Sequence, residues 1–218
     1  MQFDFWSILV QWPLLLRGAA WTIGLTATAT LLGAGLAVAG AWARTQGPRP
    51  LGWLVGAYVE VIRNTPFIVQ LFFIFFGLPQ LGIRLSPGIA AVTAMTINLG
   101  AYAAEILRAG IEATPRGQIE AAESLALSRA QIFLHVVLPP ALKTVWPAFV
   151  SQIVIVMLGS AVCGQISTEE LSYATNLIQS RNFRAFEAYI VGTLGYLSLA
   201  ILLRHLLNWA GPRFLFGR

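Results

Sequence analysis

Long apolar runs separated by short polar stretches dominate this chain. A helix rises about 1.5 Å per residue, so about 20 apolar residues cross the roughly 30 Å hydrocarbon layer of a membrane. The pattern predicts five membrane-spanning helices, at about residues 18–43, 54–79, 88–107, 144–166 and 188–207.

The composition supports a membrane protein. Of the 218 residues, 57% are hydrophobic and 11% are charged, whereas about 25% of the residues in a soluble domain are charged. We therefore predict an all-α integral membrane fold in which residues 1–218 form a single transmembrane domain.

Two prolines in the first third of the chain modify this pattern. Residues 3–16 are rich in aromatic side chains and are interrupted by Pro13, so we expect an interfacial segment that is too short to cross the membrane. The second span carries Pro66, and we expect it to bend or restart there.

The polar stretch 109–140 lies between two apolar runs. Thr114 followed by Pro115 is typical of a helix start. Ser128 and Gln131 have the spacing of a capping box, which predicts the start of a second helix. Leu138-Pro139-Pro140 predicts the end of that helix, because proline cannot continue the hydrogen-bond ladder. We expect two short helices outside the membrane.

The distribution of basic residues predicts the topology. With the N-terminus outside, four of the fourteen basic residues lie outside, at positions 17, 84, 181 and 184. The other ten lie inside, so the positive-inside rule favours an N-out, C-in arrangement. This places residues 109–140 in the cytoplasm. The ten inner residues are Arg44, Arg49, Arg63, Arg108, Arg116, Arg129, Lys143, Arg204, Arg213 and Arg218.

Enzyme chemistry and nucleic-acid binding are poorly supported. The chain has no G-x-x-x-x-G-K-[ST] motif for ATP, and His135 and His205 lie far apart in sequence. We therefore expect no cofactor and no metal in this chain. The polar stretch resembles a helix-turn-helix in outline, but its net acidic charge would repel phosphate. Its single cysteine, Cys163, is expected to be a small packing residue.

Within the polar stretch, Glu120-Ala121-Ala122 is followed by Leu125 and then by Val136, Leu138 and Pro139. This sequence motif resembles the EAA loop of ABC importer permeases. The resemblance implies a coupling helix that docks into a groove of an ATP-hydrolysing subunit. Alanine stands at position 126, where the family usually has glycine, so we expect the turn there to avoid positive φ. The implied ATPase-coupling residues are Glu120, Ala121, Ala122, Leu125 and Ala126.

Motifs outside this loop resemble the polar amino acid permeases of the histidine, glutamine and arginine type. They occupy residues 60–66, 70–73 and 100–110. Residues 158–162 of span four differ from the sequence that is usual in that family. The resemblance implies a multi-pass subunit of the bacterial cytoplasmic membrane that transports an amino acid by alternating access. It also implies two ATP-binding subunits carrying ATP-Mg, a second permease copy or a related permease, and an external solute-binding protein.

Polar residues inside the apolar runs are the candidate substrate ligands. A charged side chain at the bilayer centre costs about 2.5–3.5 kcal/mol on insertion scales, so such residues need partners or a function. Gly159 and Gly164 bracket a serine in span four and are able to loosen that helix, although small residues also serve helix packing. The candidates are Asn98, Ser160, Arg63 and Gln70.

Two alternatives remain open at this point. Glu60 with Arg63 and Glu105 with Arg108 have i,i+3 spacing, so either pair can be a purely structural ion pair. For the whole chain, the alternatives to an importer subunit are a small channel or secondary carrier gated without nucleotide, and a purely structural membrane subunit. The sequence of the cytoplasmic loop favours the importer over a channel or carrier. The intramembrane Arg and Asn favour the importer over a purely structural subunit.

Overall fold

The computed structural model describes residues 3–215, and this range is helical from end to end except for short connections. Arg218, which the charge count uses, lies outside the described residues. A π-helical turn, Gly211–Leu215, continues the last helix. The helices are α1 (Trp6–Leu9), α2 (Trp12–Thr45), α3 (Arg49–Arg63), α4 (Phe67–Leu81), α5 (Pro87–Glu112), α6 (Arg116–Ser124), α7 (Arg129–Ile166), α8 (Leu171–Asn182) and α9 (Ala185–Ala210).

Four of the described helices, α2, α5, α7 and α9, are long and apolar enough to cross a membrane. α3 and α4 pass the same test together, but they are bent by 108° at their junction. The structure therefore confirms an all-α membrane fold. The predicted bend near Pro66 is confirmed as a break between Arg63 and Phe67.

The core is formed by close packing of α2 against α5 through small residues. A Cβ atom on Gly33 would lie 3.1 Å from the Leu99 side chain, and one on Gly100 would lie 2.6 Å from Leu36. Such helix contacts are typical of membrane proteins, where lipid removes the hydrophobic drive and van der Waals packing stabilises association. On another face of α5, Asn98 and Tyr102 lie beside α4 and α3.

The N-terminal prediction was partly wrong. α2 begins at Trp12, so residues 12–16 are continuous with the helix that contains the first predicted span, and only the four-residue α1 precedes it. Pro13 lies in the first turn of α2, where the N–H that proline lacks has no partner within the helix in any case. Proline therefore starts this helix.

In the polar stretch, one predicted cap is wrong and one is confirmed. Pro115 is the N-cap of α6, and Thr114 makes no capping hydrogen bond. Ser128 and Gln131 do form the capping box of α7. The Ser128 N–H donates to Gln131 Oε1 over 2.8 Å, and the Gln131 N–H donates to Ser128 Oγ over 3.4 Å.

The predicted helix end at Pro139-Pro140 is wrong. α7 runs through both prolines to Ile166, so the helix that contains predicted span four starts well before residue 144. A π-helical stretch, Ile132–Val137, lies immediately before them. The π-helical stretch shifts the backbone hydrogen-bond pattern before the α-helical segment resumes at Leu138. Pro139 and Pro140, which have no N–H to donate, then lie in the first turn of that segment, where proline is tolerated.

Contacts at the two ends of the bundle show which segments share a side. Arg17 pairs with Glu169 over 2.7 Å, and Arg184 lies 3.6 Å from Asp4. The N-terminal segment and residues 167–184 therefore lie at one end, whereas α6 lies at the other.

The N-out, C-in prediction can be tested with reporters. A tag inserted in residues 167–184 is expected to be labelled in intact cells by an impermeant reagent, and a reporter fused after Arg218 is expected to be active only in the cytoplasm. Labelling of the tag only after permeabilisation would reverse the orientation. A tag at Gly117, which has open space around it, is the matched control for the opposite side.

Candidate functional site

The break in span two is held together by the side chain of Gln70. Its Nε2 donates to Ile62 O over 2.8 Å, to Thr65 O over 3.1 Å and to Thr65 Oγ1 over 2.9 Å. The carbonyl groups at the end of α3 have lost their helical donors because Pro66 has no N–H and α4 turns away. Gln70, which is 9% exposed, satisfies them and so stabilises the bend.

Asn98 of α5 joins this bend. Its Nδ2 donates to Gln70 Oε1 over 3.1 Å, which fixes the amide orientation and leaves Asn98 Oδ1 as an acceptor. Within residues 3–215, no side chain or backbone group donates to that oxygen. The structure therefore brings the predicted ligands Gln70 and Asn98 together, with one carbonyl oxygen unused.

Arg63 lies at the end of α3 on the same side of the bend. Its guanidinium group stacks over the ring of Tyr102, 5.6 Å from the centroid, and Tyr102 Oη donates to Arg63 O over 3.3 Å. Tyr102 follows Asn98 by one helical turn, so the two share a face of α5. The guanidinium group and Asn98 Oδ1 therefore border the same region.

The interpretation of Glu60 and Arg63 as an ion pair is wrong for the described chain. The two side chains form no salt bridge, and Glu60 instead accepts from Asn64 Nδ2 over 3.0 Å. Both Glu60 and Arg63 are exposed on the isolated subunit. The Arg63 guanidinium group thus has an aromatic neighbour but no carboxylate.

The second pair behaves differently. Glu105 binds Arg108 on its own helix as the spacing predicts, and it also binds Arg44 at the end of α2. Arg108 pairs in addition with Glu112. This ladder of four charges ties α2 to α5 at the end that carries α6, so a structural role is confirmed for Glu105.

Ser160 lies at a second break, in span four. Residues Ser160–Ile166 form a 3₁₀ stretch that follows Gly159, and a Cβ on Gly159 would lie 4.0 Å from the Phe67 ring at the start of α4. The predicted loosening of span four is therefore present beside the bend of span two. Ser160 itself is fully buried and donates to Met157 O over 2.6 Å. It makes no hydrogen bond to Gln70, Asn98 or Arg63 in the described chain.

The predicted coupling residues lie on or next to α6. Glu120 and Ala121 are exposed, and Leu125 is 75% exposed. Ala122 is 4% exposed and belongs to the hydrophobic core, so it fixes the helix to the body instead of lying on its outer face.

The turn after α6 corrects one expectation. Ala126 has φ of 56°, so alanine adopts the left-handed conformation that glycine usually provides. A non-glycine residue in this region costs about 1–2 kcal/mol. The Leu125 N–H donates to Ala122 O over 3.2 Å, and the Ala126 N–H donates to Glu123 O over 2.9 Å. The sharp turn is therefore kept despite the substitution.

Sequence reasoning missed Tyr102 as part of the site. Its spacing of four from Asn98, together with the Arg63 that precedes the bend, was the signal that was available. What the pattern lacked was the packing that places α3 against this face of α5.

The comparison with known families agrees with this geometry. Residues 29–215 match the family described as the binding-protein-dependent transport system inner membrane component. The chain belongs to this family. It is therefore the membrane subunit of an ABC transporter, and ATP hydrolysis resides on a partner subunit. The comparison supports the importer subunit over the channel or carrier alternative.

Individual relatives give the same result. The chain is 39% identical over 165 residues, 76% of each chain, to the probable glutamine ABC transporter permease protein GlnM of Bacillus subtilis (strain 168). It is 34% identical over 214 residues to the glutamine transport system permease protein GlnP of Escherichia coli (strain K12), covering 95% of this chain and 96% of that one. A crystal structure described as an amino acid ABC transporter with histidines superposes with a TM-score of 0.86 at 35% identity, over 96% of this chain and 98% of that chain.

Proposed function

We propose that this permease subunit imports a polar amino acid, and that the bend between α3 and α4 is where the substrate is bound. The proposal is carried by two groups on adjoining helices that border the same region. The Arg63 guanidinium group has no carboxylate partner, and Asn98 Oδ1 has no donor within the described residues. The names of the relatives, which include two glutamine transporters, support the substrate class.

The two groups match the two ends of a zwitterion. Arg63 presents parallel N–H donors that fit a carboxylate, and Asn98 Oδ1 is an acceptor suited to an ammonium group. An amino acid that leaves water must have both charges paired, or its desolvation cost is not recovered. An anion or a cation alone would leave one of these protein groups without a partner.

The depth of Arg63 supports a water-filled path at this face. α3 has 15 residues, so at about 1.5 Å per residue Arg63 lies roughly 22 Å from the start of the helix. Exposed Glu60, Arg63, Asn64 and Thr65 form a polar strip at that depth. Charged groups within the membrane face a cavity or another protein surface and not lipid. We infer that this strip faces the translocation path.

The four candidate ligands divide into two kinds. Asn98 and Arg63 are proposed to contact the substrate, because each keeps an unused polar group at the bend. Gln70 and Ser160 are proposed to hold the two breaks in shape, because their hydrogen bonds are already used within the chain. Transporters commonly build substrate sites from such discontinuous helices.

The rest of the assembly is proposed from the family. Two ATP-binding subunits carrying ATP-Mg would dock on the outer face of α6, and an external solute-binding protein would deliver the substrate at the opposite end. A second permease, either a copy of this chain or a related one, would complete the path. The location proposed for the complex is the bacterial cytoplasmic membrane, with the N-terminus outside.

Reconstitution of the full complex in proteoliposomes tests the proposal. We expect ATP-dependent uptake of one or more polar amino acids, and ATP hydrolysis that rises with the loaded binding protein. Glutamine is the first substrate to assay, followed by a panel of acidic, basic and apolar amino acids. Uptake of none of them by a complex that hydrolyses ATP and binds its partners would refute the proposed substrate class.

A further inference from the structure

Glu170 is a buried acidic residue that the proposed site does not use. Its side chain is fully buried between the end of α7 and the start of α8. The carboxylate accepts from Tyr173 N over 2.7 Å, from Ser172 N over 2.9 Å and from the hydroxyl group of Tyr196 on α9. Burial raises the pKa of this carboxyl group above its ordinary value, and the three donors offset part of that rise.

Four helices meet around this residue. The Leu171 N–H donates to Thr22 Oγ1 of α2 over 3.2 Å. A Cβ on Gly18 of α2 would lie 3.0 Å from Glu170 O, and one on Gly164 of α7 would lie 2.8 Å from Glu170 Oε1. Glycine at both positions lets α2 and the end of α7 approach closely. Glu170 is therefore enclosed by α2, α7, α8 and α9.

The contacts of Glu170 lead to the break in span four. Tyr196, which donates to Glu170, lies beside the Ser160 hydroxyl group, which itself donates to Met157 O. Ser160 begins the 3₁₀ stretch, and Gly164 lies in its middle. One carboxylate thus touches the stretch directly at Gly164 and indirectly, through Tyr196, at Ser160.

An ordinary helix cap does not require this arrangement. A carboxylate that caps a surface helix has its backbone donors and water, whereas Glu170 has no exposure and takes a third donor from a different span. Burying a carboxylate is costly unless it is fully hydrogen-bonded. The carboxylate accepts from α8 and from Tyr196 of α9, and it lies against Gly164 at the broken end of α7.

We propose that Glu170 is a positioning residue for transport, which acts through Tyr196 and Gly164 to hold the 3₁₀ stretch Ser160–Ile166 in the shape that the substrate path requires. The proposal rests on the proposed function, because that function places the break of span four beside the substrate. It assigns no direct substrate contact to Glu170.

The native cysteine provides a test that does not depend on substrate. Cys163 is the only cysteine in the chain and lies fully buried in this stretch. In the reconstituted complex, Glu170→Gln and Tyr196→Phe are expected to raise the rate of maleimide labelling at Cys163 at least about tenfold, because exposure of a buried thiol follows local opening. Intact mass of this chain measures the labelling. Glu169→Gln is the matched control, since Glu169 is exposed and pairs with Arg17.

Uptake kinetics complete the experiment. Both variants are expected to raise KM for the transported amino acid at least about fivefold per folded complex, with basal ATP hydrolysis unchanged. Tyr196→Phe keeps both backbone hydrogen bonds of the cap, so it carries the test if Glu170→Gln does not assemble. Unchanged labelling in the folded variants overturns the proposal. Faster labelling with an unchanged KM also overturns it, because Glu170 then affects stability alone. If the wild-type complex transports no amino acid, the proposed function fails, while the labelling still decides whether Glu170 holds the stretch.

Discussion

Replacement of Ala121 by tryptophan is expected to abolish most coupled transport while the permease still inserts and folds. Ala121 is exposed on α6, whereas the adjacent Ala122 is buried against the body. A large side chain at Ala121 therefore meets the docked ATPase and not the core of the permease. Displacement of a docked element by a few ångströms is expected to reduce uptake at least about tenfold, since positioning errors of 1 Å can cost about a hundredfold.

Charge reversal at Glu120 is expected to act in the same direction, because the residue is exposed beside Ala121. Uptake and ATP hydrolysis are measured together, so uncoupling appears as hydrolysis that persists without transport. Ala27→Trp, at an exposed alanine of α2 far from α6, is the control for bulk alone. Ala126→Gly is the second control and is expected to keep transport, because glycine relieves the left-handed turn. Normal transport with a bound ATPase in both Ala121→Trp and Glu120→Lys would contradict docking at this face.

Replacement of Arg63 is expected to have the second large effect. Arg63→Ala removes the proposed carboxylate ligand, and hydrogen bonds to charged groups contribute about 1.5–3 kcal/mol. We therefore expect kcat/KM for uptake to fall by about one to two orders of magnitude. Arg63→Lys is expected to be almost as harmful, because lysine cannot form the two parallel bonds of a guanidinium group and stacks less well on Tyr102.

Asn98→Leu is expected to lower kcat/KM about tenfold with basal ATP hydrolysis unchanged, since it removes the proposed ammonium acceptor and leaves α6 untouched. It also leaves Gln70 Oε1 without its donor, so Asn98→Asp is included to keep an acceptor at the site. Arg49→Ala is the matched control for Arg63, because Arg49 is an exposed arginine at the opposite end of α3. Wild-type affinity and rate in Arg63→Lys and Asn98→Leu would remove this bend from the substrate site.

The sequence determined those features that depend on neighbouring residues. Long apolar runs define membrane-spanning helices because an apolar run of sufficient length is stable only in lipid. The capping box at Ser128 and the break at Pro66 follow from donors and acceptors within four residues. Asn98, Gln70 and Arg63 were found as candidates for the same local reason, since each is a polar residue within an apolar run.

The tertiary structure decided what depends on packing between helices. It decided that Gln70 and Asn98 pair, that Arg63 lies on Tyr102 and not beside Glu60, and that Ser160 is buried. Gln70 and Asn98 lie 28 residues apart, and Arg63 and Tyr102 lie further apart still. Sequence spacing carries no information on that choice.

Local rules failed at Pro139 and Ala126 for a related reason. A π-helical stretch allows α7 to continue through Pro139, and α6 keeps its left-handed turn at Ala126 because Ala122 is held in the core. In both places the free energy of packing exceeds the one or two kcal/mol of local preference, about the size of the penalty for a left-handed alanine. Sequence therefore determined the spans and their polar residues, while the packing of the helices determined which of those residues meet.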